Sequence, residues 1–244
     1  MNGVVENIET GAILYDRAVV NQISAACFDA GSWASARPVT GDLRSAGRGK
    51  TMIVGDGGTE YVLRHYRRGG LPGRFSRDLY LWTGAERTRA FREWRLLRTL
   101  REMNLPVPIP AAARYRRVGR FFYTADLLTV REPGIRPLSQ RLVEGPAGEG
   151  FWRAVGAGLK RFHEAGVCHA DLNAYNVQLD AADHLFLLDF DRGSLRPPGA
   201  WRQGNLARLH RSLRKISRLE PRVAFSEPNW QQLMLGYSSA SRSA

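Results

Sequence analysis

Apolar positions along the chain change period, from alternation in the first half to spacings of three and four residues in the second. The pattern therefore predicts a β-rich N-terminal part followed by a mostly helical one. Ala12 to Tyr15 reads as an edge strand followed by a weak helical pattern, and Thr51 to Val54 and Glu60 to Tyr66 as strands joined by the turn Gly55-Asp56-Gly57-Gly58. Glu86 to Arg101 reads as a helix with Ala90, Trp94 and Leu97 on one face, ended by the proline-rich stretch Asn104 to Pro110. Ala112 to Val118 and Phe121 to Val130 form a predicted hairpin over Gly119-Arg120, leading to a connection at Thr129 to Pro133. Beyond it, helices are expected at Leu138 to Val143 and at Gly150 to Glu164, the second with Phe151, Val155, Leu159 and Phe162 in the core. The last long helix, Trp201 to Leu219, carries an apolar stripe of Trp201, Leu206, Leu209, Leu213 and Ile216, with its arginines on other faces. Asn229 to Tyr237 closes the chain ahead of a Ser-rich end.

A chain of 244 residues, 43% of them hydrophobic, suffices for one large domain or two lobes. Charge narrows the partners. Thirty-six Lys and Arg against 23 Asp and Glu give a net charge of +13, mostly from Arg, which favours an anionic partner: nucleic acid, a membrane surface or a phosphorylated substrate. The two cysteines, Cys27 and Cys168, lack the spacing of a zinc site or a disulfide framework. No apolar run approaches the roughly 18 residues needed to span a bilayer, and the N-terminus has no signal-peptide pattern, so a cytoplasmic location with at most peripheral membrane contact is expected.

The chemistry concentrates between Val167 and Gly193. His169, Asp171, Leu172 and Asn176 follow the pattern His-x-Asp-Leu-x-x-x-Asn, and a short apolar run ends in Asp189-Phe190-Asp191. Phosphoryl transfer requires an acceptor-only group for the substrate hydroxyl proton and oxygen ligands for Mg2+ on the nucleotide phosphates. Asp171 suits the first task, Asn176 and Asp189 the second. Two short strands, Val177 to Leu179 and Leu185 to Leu188, would return Asp189 to the side of Asp171. Each carboxylate taken singly also fits a cap or turn, since Asp and Asn bond readily to nearby backbone. His169 reads as a brace for the loop rather than a general base.

These loops resemble those of protein-kinase-like small-molecule and sugar kinases. Protein kinases of eukaryotes have Arg where Ala170 stands, Lys where Asn173 stands and Gly where Asp191 stands. The phrase His169 to Asn176, with Asp189-Phe190-Asp191-Arg192-Gly193 and the upstream Val62-Leu63-Arg64-His65-Tyr66-Arg67-Arg68-Gly69-Gly70, is similar to the 3-deoxy-D-manno-octulosonic acid (Kdo) kinases of the lipopolysaccharide kinase family. The resemblance implies an α+β, two-lobed protein-kinase-like fold, with a nucleotide-binding N-lobe at residues 1–128 and a catalytic C-lobe at 129–244. It implies ATP and Mg2+ as cofactors and phosphorylation of Kdo at its 4-hydroxyl in the lipid A inner core. Asp171 becomes the catalytic residue, and Asn176 and Asp189 become the metal ligands. Gly47, Gly49, Arg64 and Glu93 become nucleotide-positioning residues, with Glu93 orienting Arg64. Arg64 stands where the family pattern of protein kinases has Lys, and a planar guanidinium is not equivalent to an ammonium. For Glu93 the competing reading is a surface pair with Arg89. The extra carboxylate Asp191 would hold metal or cap the loop.

The partners so implied are Kdo-lipid A and the anionic cytoplasmic face of a Gram-negative inner membrane; nucleic acid is not expected, and the sequence leaves the oligomeric state open. A heptose kinase or another small-molecule phosphotransferase would share these loops, although a cationic aminoglycoside matches a +13 protein poorly. A basic kinase-derived binding module without activity is the non-enzyme alternative; it leaves the joint presence of Asp171, Asn176 and Asp189 unexplained.

Overall fold

A computed structural model describes residues 3–39, 51–55, 57–67 and 78–239. Gly47, Gly49, Asp56 and the basic loop from Arg68 to Arg74 lie outside them. The chain divides into two compact units, Met1–Arg101 with Pro108–Glu132 and Glu102–Val107 with Pro133–Ala244.

The first unit is built on an antiparallel sheet. Its strands are β1 (Val4–Ile8), β2 (Gly11–Tyr15), β3 (Arg37–Pro38), β4 (Met52–Gly55), β5 (Glu60–His65), β6 (Tyr80–Leu81), β7 (Pro110–Val118) and β8 (Phe122–Val130), with one helix, α1 (Arg89–Glu102). Their order is β1-β2-β7-β8-β5-β4-β3, and β6 pairs with β8. The expected edge strand is therefore interior: Val4 to Ile8 folds back on Gly11 to Tyr15, and Ala12 to Tyr15 are buried as an edge strand would not be. The helical pattern expected after it resolves into two short 3-10 turns, Ala25–Phe28 and Ala30–Ser32. These cover one face of the sheet, where Phe28 joins Ile13, Tyr15, Val54, Tyr61, Leu63 and Leu128. Arg114 is threaded through this cover. It donates to the carbonyl of Ala25 at 2.9 Å and from Nε to Asp126 at 2.9 Å, while Asp126 also bonds His65 at 2.7 Å. Helix α1 lies on the other face, burying Ala90, Phe91, Glu93, Trp94, Leu97 and Leu100.

In the second unit β9 (Arg136–Pro137) joins α2 (Leu138–Arg141), α3 (Glu149–Glu164), β10 (Val167–Cys168), β11 (Val177–Leu179), β12 (Leu185–Leu187), β13 (Ser194–Leu195), α4 (Trp201–Leu219) and α5 (Glu227–Ser239). Helix α3 buries Val155, Leu159 and Phe162 of the expected stripe, but its first core place goes to Trp152 rather than Phe151. Trp152 is fully buried, and Phe151 stays half-buried, because Trp152 lies on the face shared with Val155, Leu159 and Phe162 and fills more of it. Helices α3 and α5 meet at glycines: a Cβ on Gly156 would stand 2.0 Å from the Leu233 carbonyl oxygen, and one on Gly236 would stand 2.0 Å from that of Arg153. Such backbone-to-backbone approach admits no side chain.

Candidate active site

The stretch from His169 to Gly193 is held at both ends by one ladder. Val167 pairs with Leu195 and Cys168 with Ser194, so β10 delivers the chain to the loops and β13 takes it away. Between them Val177 to Leu179 pairs with Leu185 to Leu187 in register. The turn is closed by Asp180, whose carboxylate accepts from the backbone N–H groups of Ala182 and His184, each at 2.8 Å. Those bonds hold the Asp180 carboxyl below its ordinary pKa. The hairpin ends with the Leu188 N–H donating to the Asn176 carbonyl at 3.0 Å. Asp189, the next residue, thus follows directly from Asn176 across the hairpin. Its φ of 62° is a left-handed conformation that Asp tolerates better than bulkier residues.

Within the loop, every buried amide has a task. Asn173 accepts from the N–H groups of Tyr175 at 2.9 Å and Asn176 at 3.1 Å and donates to the Asp171 carbonyl at 3.0 Å. The Asn176 Nδ2 donates to the same carbonyl at 2.8 Å. These bonds fix the Asp171 backbone and leave its carboxylate 47% exposed. His169 ties the two loops together. Its Nε2 donates to the Leu188 carbonyl at 2.8 Å, and its Nδ1 accepts from the Asp171 N–H at 3.2 Å. A carbonyl can only accept, so the imidazole is the neutral Nε2–H tautomer. Burial pushes its pKa down in agreement, and its ring meets Phe190 edge-on at 5.0 Å.

Helix α4 seats this loop. Asn205 accepts from the His169 N–H at 3.1 Å and donates to the His169 carbonyl at 2.8 Å, and Ser212 accepts from the Ala174 N–H at 3.2 Å. Seven residues apart, Asn205 and Ser212 lie on one face of the helix. Arg208 lies between them, with its guanidinium 4.0 Å from the Asp171 carboxylate.

The phosphate-positioning candidates belong to the first unit. Arg64 on β5 pairs with Glu93 on α1; Glu93 is 3% exposed and Arg64 24%. Glu93 is buried rather than on the surface, and the guanidinium of Arg89, its competing partner, lies over the Tyr80 ring at 4.7 Å. Tyr66 completes the group. Its hydroxyl donates to Glu93 at 2.6 Å and accepts from Arg64 at 3.1 Å, and its ring lies 4.7 Å beneath the guanidinium. A buried carboxylate that accepts from both Arg64 and Tyr66 fixes the direction of the Arg64 guanidinium.

Of the residues singled out in the sequence, the structure brings Arg64 to Glu93, and Asp171 to Asn176 and the hairpin end that carries Asp189. Gly47 and Gly49 lie outside the described residues. Tyr66, Asn205, Arg208 and Ser212 escaped the sequence reading. The signal available for two of them was polar residues at i and i+7 on the face of α4 that an apolar stripe should occupy.

The profile of the lipopolysaccharide kinase (Kdo/WaaP) family matches residues 33–237. The chain belongs to this family. Curated relatives of this Kdo/WaaP kinase family member include the 3-deoxy-D-manno-octulosonic acid kinase of Stenotrophomonas maltophilia, 46% identical over 94% of this chain and 90% of the relative. That of Xanthomonas axonopodis pv. citri is 49% identical over 84% of this chain and 81% of the relative. Among solved structures, WaaP in complex with acyl carrier protein matches with a TM-score of 0.57 over 97% of this chain and 88% of that one, at 20% identity. That likeness establishes the protein-kinase-like fold for this family member.

Proposed function

We propose that this protein is an ATP-dependent kinase that phosphorylates Kdo at its 4-hydroxyl in the lipid A inner core, during lipopolysaccharide core synthesis. The observation that carries the reading is the joint construction of the two loops, in which His169 and the 177–187 hairpin hold Asp171, Asn176 and Asp189 in one frame. Identity of 46–49% with curated Kdo kinases supports the substrate.

In this reading, residues 1–128 form the nucleotide lobe and 129–244 the catalytic lobe. Asp171 accepts or orients the proton of the sugar hydroxyl, and its exposed carboxylate is held by a backbone that the two Asn amides fix. Asn176 and Asp189 are the residues to hold Mg2+. The amide nitrogen of Asn176 donates to the Asp171 carbonyl, its oxygen is a hard donor, and a carboxylate follows across the hairpin; the donor set fits a hard cation. Held by Asn176 and Asp189, a Mg2+ ion would supply positive charge against the nucleotide phosphates. Arg64, aimed by Glu93 and Tyr66, orients the phosphates; Gly47 and Gly49, outside the described residues, are the further nucleotide-binding candidates. Arg208 supplies positive charge beside Asp171 as the phosphoryl group passes.

Among the described residues no helix is long and apolar enough to cross a membrane. The acceptor is a lipid-anchored sugar, so the protein works as a peripheral enzyme on the cytoplasmic face of the inner membrane. The test is mass spectrometry of Kdo-lipid A incubated with the protein, ATP and Mg2+, beside Asp171→Ala and a heptose-bearing acceptor. A phosphate gained on Kdo by the wild type and not by the variant supports the proposal. Transfer to heptose alone would replace the substrate, and no transfer to any sugar would overturn the kinase reading.

A further inference from the structure

The tip of the β7–β8 hairpin exposes a cluster of large apolar side chains. Val118 faces Phe122 across the two strands, and Leu81 of β6 faces Phe122 from the other side, so the three form one row on one face of the sheet. Val118 is 42% exposed, Phe122 41%, Leu81 60%, and Phe121 at the turn 61%. The Trp82 N–H donates to the Phe121 carbonyl at 2.8 Å, so the tip is bound to the neighbouring segment rather than free.

Arginines surround this row. Arg116 is exposed two residues before Val118 and on the same face. The Arg120 guanidinium lies 5.7 Å from the Phe121 ring, whereas Arg117, on the opposite face of the strand, lies over Trp82 and donates to the carbonyls of Gly119 and Arg120. The nearby carboxylate of Glu86 is taken up by Arg95 in two bonds of 2.6 and 2.8 Å. Apolar tips ringed by cations match the two layers of an anionic bilayer surface, in which acyl chains lie beneath phosphate groups. A protein partner is the weaker match. Four side chains at a turn fall well short of the roughly 800 Å² that each side of a stable protein interface buries.

We propose that the β7–β8 tip, with Leu81, is the surface that docks this protein on an anionic membrane: Val118, Phe121, Phe122 and Leu81 enter the interface, and Arg116 and Arg120 contact lipid phosphates. This deepens the peripheral association proposed above by naming its surface. Vesicle binding needs no phosphoryl transfer, so it fails or holds independently of the kinase reading.

The experiment is flotation of the full chain with vesicles of phosphatidylcholine, with and without phosphatidylglycerol, in the absence of ATP and sugar. The wild type floats with the anionic vesicles. A variant combining Leu81→Ser, Phe121→Ser and Phe122→Ser, all at exposed positions and checked for an unchanged melting temperature, loses at least about tenfold in partition. Arg116→Glu with Arg120→Glu abolishes the preference for phosphatidylglycerol. Wild-type flotation by both variants would overturn the proposal. So would loss of binding on Arg211→Glu with Arg218→Glu alone, which would move the surface to α4, or a lipid-free oligomer that the Ser variant dissolves, which would give the tip to a second copy.

Discussion

Replacing Asn205 by Leu tests whether α4 holds the catalytic loop. The side chains are close in volume, so the substitution opens little cavity, but the His169 N–H and carbonyl both lose their partner. His169 is 1% exposed, so water does not easily replace what is lost. A buried backbone group left without a partner costs about 1–3 kcal/mol, so the pair costs roughly 2–6 kcal/mol. Against the 5–15 kcal/mol that ordinarily holds a domain, that is a large fraction. Urea denaturation monitored by fluorescence should show a lower midpoint with an unchanged slope. Hydrogen exchange should show early loss of protection at His169, and phosphoryl transfer should fall because the backbone of Asp171 is next but one. Asn205→Asp separates the two bonds. It keeps the acceptor for the His169 N–H but sets a carboxylate against the carbonyl, which raises its pKa above the unfolded value. Relative to wild type, that variant is least stable at neutral pH and recovers as pH falls through the raised pKa, when the protonated carboxyl can donate. A Leu variant within about 0.5 kcal/mol of wild type, with wild-type exchange at His169, would refute the reasoning.

Tyr66→Phe removes a hydrogen bond to a buried carboxylate, an interaction of about 1.5–3 kcal/mol, and should lower kcat/KM for ATP by tenfold or more in steady-state assays while the KM for the sugar holds. Arg208→Ala should lower kcat at least about tenfold in the same assay, with Arg208→Lys restoring part of it; Arg218→Ala, about 15 Å further along α4, should leave it unchanged. Gly156→Ala places a methyl 2.0 Å from the Leu233 carbonyl oxygen and should cost about 3 kcal/mol in thermal or urea unfolding. His163 is buried, and burial pushes its pKa down to about 4 from 6.5. The unfolded chain therefore binds the proton first, and stability falls as pH drops below 6.5, by about 2 kcal/mol between pH 7 and 5. His163→Gln should remove that part of the acid dependence, read as a smaller fall in melting temperature over the same interval.

Elements whose burial is one-sided were the most legible. Helix α4 runs from Trp201 to Leu219 as its stripe required, and the hairpin of β11 and β12 forms from the two short strands expected on either side of the Asp180 turn. The frame of the loop was legible for a related reason: His169, Asp171, Asn176 and Asp189 are local in sequence, and local geometry sets their spacing. What the sequence hid was the partner supplied from elsewhere. Trp152 took the core place expected of Phe151, because the helix face is decided by what packs against it and not by periodicity alone. Likewise Ala12 to Tyr15 became interior only because Val4 to Ile8 returned to pair with it, and nothing in a four-residue apolar run states how many neighbours it will have.

The charge at the loop shows the same limit in sharper form. Asn173 stands where protein kinases of eukaryotes carry Lys, and along the chain this reads as a cation removed from the site. In the fold, Asn173 is 5% exposed and is engaged by the loop's own backbone, so the position holds the loop's shape. The positive charge beside Asp171 comes instead from Arg208, 37 residues later, carried by a helix that Asn205 and Ser212 fix to the same loop. One position has been relieved of charge and given rigidity, and the charge has been moved to an element anchored on both sides of it. Because the guanidinium arrives from a helix, its reach depends on the seating of α4 as well as on its own side chain. Loosening Asn205 should therefore weaken Arg208 and Asp171 together, and the double variant Asn205→Leu with Arg208→Ala should lose less activity than the product of the two single losses.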